Sequence, residues 1–422
     1  MDFAKEAQTP MPELPDPFLR EDGSRVATPA EWPRQRAWLK EMLAHFLYGH
    51  MPASREAFTG AAAASHPAYE GRAVRETLLF SHRTVPALRF HAQVVRPADQ
   101  GPCPVILWNR GRGEEASPLE EELVCVRGCA LVMFQREELA PDGPAACTGP
   151  LAQAYPACDW GAVAMWAWGC SLVADYLAGT HWADMKKLAV TGHSRGAKAA
   201  VCAAVYDERF SVCAAAGSGC GGLGCLRFVG SRYGENIGLC ETVGNAVDGF
   251  PFWWSDHWGA FGARITDETR TRCGQYGREI FAKIFAESVG RRKDEALLPF
   301  DLHFLRALIA PRAVISLDGL GDTWSNPFGT QITWRAAQEV FDFLQAPHHN
   351  ALFFREGGHE FSVEDWRALT GFCGAVFSGR PVPRPIVAFP RQGEAPPETP
   401  LEQRERQKDW KQLRLHYRWR RP

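Results

Sequence analysis

Residues Lys187–Ala200, KLAVTGHSRGAKAA, constrain the fold of this chain more than any other stretch. Leu188–Thr191 is a short apolar run that reads as a buried β-strand, and the Ala-rich run after Gly196 reads as a helix. Between them Gly192, His193, Ser194, Arg195 and Gly196 spell G-x-S-x-G. A strand that turns into a helix within so few residues needs glycine where a Cβ would crowd the turn. The serine at the apex then stands clear of the backbone, and the first helical N–H groups face an oxyanion formed beside it. The other reading of such a motif is a structural Gly/Ser turn, but the flanking strand and helix favour the chemical one.

This arrangement is the nucleophile elbow of α/β hydrolases, and it predicts an α/β-hydrolase fold: a mostly parallel central sheet flanked by helices in three layers. Two cations follow the serine, Arg195 directly and Lys198 four places on. Side chains at i and i+4 share a helix face and lean toward its N-terminus, so Lys198 is expected to reach back to the mouth of the site. The alternative is a solvated helix face.

The rest of the chain fits one such domain. Residues 1–35 are Pro-rich and polar and read as an arm, and Trp32–Gly49 as an amphipathic helix. Two antiparallel strands are expected around Arg75–Phe80 and Leu88–Val95, then core strands at Pro104–Trp108, Ala130–Phe134, Lys187–Thr191, Val212–Ala216, Ala313–Leu317 and Ala351–Phe354. Helices are expected at Trp160–Leu177 and Thr333–Leu344. The loop Asn109–Gly113 either supplies a second oxyanion N–H or is a plain Gly-rich connection. The poorly periodic, aromatic-rich segment 223–299 reads as an excursion on the cleft side of a catalytic domain spanning 36–380. Residues 381–422 are Pro- and Arg-rich and read as a tail, with a possible helix at Glu402–Leu413.

Composition excludes several classes. With 45% apolar and 23% charged residues and a net charge of −2, nothing indicates nucleic-acid binding or an electrostatic hold on a membrane. No run approaches the ~18 apolar residues of a membrane span. The N-terminus lacks a basic segment followed by an apolar one, which fits a cytoplasmic start or an export signal already removed. The 13 cysteines form no paired C-x-x-C set, so no metal is expected; most read as buried free thiols, which favours a reducing compartment. No cofactor is expected, and the chain is expected to be monomeric. The 15 tryptophans exceed what such a core needs and hint at sugar platforms.

A serine hydroxyl needs a base, and that base needs an acid to hold its tautomer. In this fold the chain order is serine, acid, histidine. His359, in FFREGGHEFS, follows the final strand after paired glycines and is the candidate base. The acid should follow the penultimate strand, where SLDGLGDTWSNP offers Asp318 and Asp322. Asp318 sits at the strand's end and could cap the turn; Asp322 lies further out, within reach of the imidazole, and is favoured.

At this point the sequence resembles carbohydrate esterase family 15, the glucuronoyl esterases. That family's elbow is G-[CH]-S-R-x-G-K, and here GHSRGAK places Gly196-Ala197 where x-G stands. WGAVAMWAWG (Trp160–Gly169), SGCGG (Ser218–Gly222), GENI (Gly234–Ile237), FPFWW (Phe250–Trp254), LPFDLHFLRALIAPR (Leu298–Arg312), DTWSNP (Asp322–Pro327) and GGH (Gly357–His359) follow in the family's order. The resemblance spans roughly residues 15–380. It implies cleavage of the ester between 4-O-methyl-glucuronic acid of xylan and a lignin alcohol, with Ser194 as nucleophile, His359 as base and Arg195 as oxyanion donor. Lys198, Glu241 and Trp253 are then expected to bind sugar. Fungal members carry a disulfide between cysteines flanking the serine and the histidine, where this chain has His193 and Glu360, as bacterial relatives do. They take their acid from a glutamate where this chain has Gly217; some bacterial members use the position of Asp322. Two other readings remain: a carboxylesterase with the same triad acting on another acyl group such as acetyl-xylan, and a catalytically silent carbohydrate-binding protein.

Overall fold

The computed structural model describes residues 13–98, 101–114, 117–227, 241–255, 257–258, 298–380, 382 and 419–422. Among them the apolar runs pair into one sheet of nine strands: β1 (Phe58–Ala68), β2 (Ala73–His82), β3 (Arg89–Pro97), β4 (Cys103–Arg110), β5 (Ala130–Gln135), β6 (Ala183–His193), β7 (Val212–Ala216), β8 (Ala313–Gly319) and β9 (Asn350–Arg355). Their spatial order is β1-β2-β3-β5-β4-β6-β7-β8-β9. The first four form antiparallel pairs, and from β5 onward every pairing is parallel.

Burial explains this division. The parallel strands are apolar nearly throughout, as in VCAAA of β7, because helices cover both faces. The helices Ala162–Ala178, Arg195–Tyr206 and His303–Ile309 pack with the larger core cluster, and Val363–Phe377 closes the other face over Ile106, Ala214 and Ile315. By contrast β1, FTGAAAASHPA, is exposed along most of its length and was not expected from the sequence. It is an edge strand whose alanines carry neither the alternation nor the β-branching that marks a strand.

Other elements start or stop near their expected limits. The first helix covers Trp32–Leu43 and continues as a wider turn over Ala44–Tyr48. The helix expected at Thr333–Leu344 begins earlier, at Pro327, because Asn326 caps it by accepting from the Gly329 N–H. The described part of the N-terminal arm is fastened at two points: His303 Nε2 lies 2.9 Å from Pro15 O, and Trp419 Nε1 donates to Leu14 O. The GENI motif, the expected Glu402–Leu413 helix and most of segments 223–299 and 381–422 lie outside the described residues.

The tryptophans serve the core. Eleven of them are buried, which answers to packing and not to a row of exposed sugar platforms. Eight of the eleven described cysteines are buried. Among the described residues no helix is long and apolar enough to cross a membrane, and no cluster of His, Cys, Asp or Glu could hold a metal.

Candidate active site

The site is assembled at the C-terminal ends of the parallel strands, where β6 turns into the helix Arg195–Tyr206. Ser194 occupies that turn with φ 55° and ψ −122°, a conformation that costs a non-glycine residue about 1–3 kcal/mol. The surroundings hold it there: its N–H donates to Ala216 O at the end of β7, 2.8 Å away. Both flanking glycines are steric necessities. A Cβ on Gly192 would lie 2.3 Å from Gly196 O, and one on Gly196 would lie 2.7 Å from Asn109 O.

Three residues expected from separate parts of the sequence meet at this turn. His359 Nε2 lies 2.9 Å from Ser194 Oγ, and His359 Nδ1 lies 2.6 Å from Asp322 Oδ2. Asp322 is buried at the end of the loop after β8, where the Ser325 N–H donates to its other oxygen. Burial pushes the Asp322 carboxyl up, but the hydrogen bond and charge of His359, with Ser325, hold it below the usual carboxylate range. Such a chain can carry a proton from the hydroxyl to the imidazole while a carboxylate steadies the cation formed.

Asp318, the other candidate acid, is elsewhere. It is 1% exposed within β8, neither of its oxygens has a hydrogen-bond partner, and burial followed by repulsion from Asp322 raises its pKa well above normal. It is a buried acid with no hydrogen bond to His359.

Three neighbours were not singled out from the sequence. Ser325 Oγ lies 3.2 Å from His359 Nδ1 and donates to Gly217 O, so it braces the imidazole beside Asp322. Gly217 lies just beneath: a Cβ there would come within 3.3 Å of the His359 ring and 3.4 Å of Asp322 Oδ2. Arg355, at the end of β9, grips the loop that carries His359. It donates to Glu356 O, Gly358 O, Glu360 O and the carboxylates of Glu360 and Asp365. Arg355 and Ser325 lay within stretches read as motifs, FFREGGH and DTWSNP, but only the folded loops show what they touch. His193 packs its ring 4.6 Å from that of His359, and burial lowers its pKa to about 3, so it stays neutral beside the imidazole.

Asp142 is the third residue the sequence did not mark. Its Oδ2 pairs with the Arg195 guanidinium and its Oδ1 accepts from Trp253 Nε1 at 2.8 Å. Arg195 thereby lies over the Trp253 ring, 5.3 Å from its centroid. Trp253, expected from the resemblance to offer an indole face to a sugar, is largely covered in this structure. The residue is 3% exposed, Phe250 stacks on it at 3.9 Å, and Arg195 and Lys198 approach its ring.

Lys198, expected to reach back to the mouth of the site, is enclosed in this structure. It does lean back from the elbow helix, but it is 2% exposed and its three donors go to Ser218 O (2.8 Å), Cys220 O (2.6 Å) and Glu241 Oε2 (2.6 Å). Glu241, also 2% exposed, is therefore held by a buried ion pair. Removing one partner of such a pair strands the other charge and costs about 3–5 kcal/mol. Lys198→Met is accordingly expected to unfold at clearly lower urea concentration, and adding Glu241→Gln should restore part of the loss. A single variant as stable as the parent would contradict the buried pairing.

In the expected oxyanion loop, the Arg112 N–H donates to Glu137 Oε2 (3.0 Å) and the Glu114 N–H to Gly111 O (3.2 Å). Beside Ser194 and His359 this loop borders a cavity of about 570 Å³.

Comparison with known proteins places the chain. The sequence profile described as glucuronyl esterase, fungi, matches residues 82–270 and 267–345. A carbohydrate esterase from an unknown prokaryotic organism is 25% identical, with 89% of this chain and 92% of that protein covered. A 4-O-methyl-glucuronoyl methylesterase of Schizophyllum commune is also 25% identical, over 82% of this chain and 77% of that one. Among solved structures, a carbohydrate esterase family 15 glucuronoyl esterase from Caldicellulosiruptor kristjansonii superposes with a TM-score of 0.69 at 26% identity, covering 90% of this chain and 95% of that one. The fold, the order of the motifs and a profile match over more than half of the sequence agree: this chain belongs to the glucuronoyl esterase family.

Proposed function

We propose that this chain hydrolyses 4-O-methyl-glucuronoyl esters through an acyl-serine intermediate. The observation that carries the reading is the unbroken contact from Ser194 through His359 to Asp322, at 2.9 and 2.6 Å, within a chain of this family. In the first step Ser194 Oγ attacks the ester carbonyl and His359 Nε2 accepts its proton. Asp322 keeps the imidazole in the required tautomer and stabilises the imidazolium. The oxyanion faces the Arg195 N–H, the first of its helix and without an intrahelical acceptor, and the guanidinium that Asp142 and Trp253 hold beside it. His359 then returns the proton to the departing alcohol. In the second step it takes one from water, which attacks the acyl-serine, and returns it to Ser194 Oγ as the uronic acid leaves.

We assign the sugar hydroxyls to Glu241, with Lys198 acting through it. A carboxylate fixed by a buried cation accepts hydrogen bonds from vicinal hydroxyls without having to be ordered first. The full occupation of Lys198 and the covered face of Trp253 favour one competitor, a carboxylesterase of the same mechanism acting on a simpler acyl group. Methyl glucuronate and p-nitrophenyl acetate separate the two. The uronate ester is expected to have the higher kcat/KM despite its poorer leaving group; the reverse order would select the simpler esterase.

A further inference from the structure

The strand order gives the site two unlike flanks. On the β7–β8 side of Ser194 lie Lys198, Glu241 and Ser218, tied together by the hydrogen bonds of the Lys198 ammonium. On the β4–β5 side lies the cavity of about 570 Å³, which reaches Ser194 and His359 and continues over the loops that follow those two strands. If the uronic acid is recognised by Glu241, as proposed above, the alcohol half of the ester must leave over the β4–β5 flank.

The chemistry of that flank is unusual for a site taking an aromatic alcohol. Beyond the serine and the two histidines, its described lining is Arg112, Glu114, Arg136, Glu137, Asp142 and Arg195, and the one apolar contributor is Pro141. No carbocyclic aromatic or aliphatic side chain lines it among the described residues. The charges are also balanced, three guanidinium groups against three carboxylates, and each of the three carboxylates already has a cation beside it. Arg136 lies 3.4 Å from both Glu114 and Glu137, and Arg195 is held by Asp142.

We propose that this cavity binds the alcohol portion of the ester and that the preferred alcohol is a neutral, hydroxyl-bearing one, of the glyceryl or sugar type, and not a bare arylalkyl group. A phenyl ring in this space would strip water from ionised groups and return no hydrogen bonds. Hydroxyl groups replace that water one for one, and bonds to charged partners are the stronger kind. A cationic alcohol gains little, because each carboxylate it would meet already has its counterion.

The test uses the full chain and glucuronate esters that share one acyl group and differ in the alcohol: methyl, benzyl, 2,3-dihydroxypropyl and choline. The dihydroxypropyl ester is expected to exceed the benzyl ester in kcat/KM by about tenfold, the lower range for one charge-assisted hydrogen bond, and to exceed the choline ester as well. Benzyl or choline turnover equal to it would overturn the proposal. Arg112→Ala, an exposed change at the rim, should reduce the dihydroxypropyl-to-benzyl ratio at least about threefold. An unmoved ratio places the alcohol elsewhere and equally overturns it. Should every uronate ester resist hydrolysis while p-nitrophenyl acetate is cleaved, the acyl assignment has failed, and the alcohol order is then read on glyceryl and benzyl acetates.

Discussion

Ser194→Ala is expected to lower kcat for a uronate ester by about 10⁴–10⁶-fold while leaving the urea midpoint close to that of the parent. The two effects separate because the hydroxyl and the turn do different work. The turn is held by the Ser194 N–H bond to Ala216 O, by the clearance that Gly192 and Gly196 provide, and by the start of the Arg195–Tyr206 helix. Alanine keeps all of these and is no more strained at φ 55° than serine. What disappears is the one oxygen within 2.9 Å of His359 Nε2. The Arg195 N–H and guanidinium remain, so a small residual rate above background is expected from polarisation of the carbonyl. A variant retaining more than about a tenth of the activity would show that Ser194 is not the attacking group, against the usual cost of removing a triad nucleophile.

Much of this site could be read from the sequence because its parts depend on local chemistry. A serine between two glycines at a strand–helix junction, a histidine after paired glycines and an aspartate in a turn each announce themselves within a few residues. The parallel strands were legible for a similar reason, since burial on both faces leaves unbroken apolar runs. The edge strand β1 was not, because its exposed alanines obey no periodicity.

The states of Lys198 and Trp253 lay beyond the sequence for another reason. Helical spacing correctly leans Lys198 back along its helix, but its accessibility depends on Ser218, Cys220 and Glu241, which reach it from other parts of the chain. Trp253 is likewise decided by Phe250 on its face and Asp142 at its edge. Local pattern gives a side chain its direction; whether it arrives free or already bonded is a tertiary property. Asp142 shows the converse, an unremarked residue in a polar loop that becomes the anchor of Arg195 only when Trp253 is brought beside it.

The same distinction governs the two carboxylates at the end of β8 and in the loop that follows it. Asp322→Asn should reduce kcat by about 10³–10⁴-fold, because an amide facing His359 Nδ1 cannot stabilise the imidazolium and can favour the wrong tautomer. Asp318→Asn should change kcat only a few-fold, since Asp318 has no bond to His359 or to any other side chain. Its effect belongs to stability, with a definite sign. In the folded chain burial holds the Asp318 proton well above the ordinary carboxylate pKa, whereas the unfolded chain releases it near pH 4. Between pH 4 and the raised folded value the unfolded state therefore binds fewer protons, and stability falls as pH rises. Asparagine has no proton to lose, so Asp318→Asn should gain stability relative to the parent at pH 8 compared with pH 5. Urea unfolding of parent and variant at both pH values measures that difference directly. A larger kcat loss for Asp318→Asn than for Asp322→Asn would reverse the assignment of the acid. A variant penalty that stays the same from pH 5 to pH 8 would mean that Asp318 is already ionised in the folded chain and paired with Arg306 or Arg355, the cations whose charges bear on it.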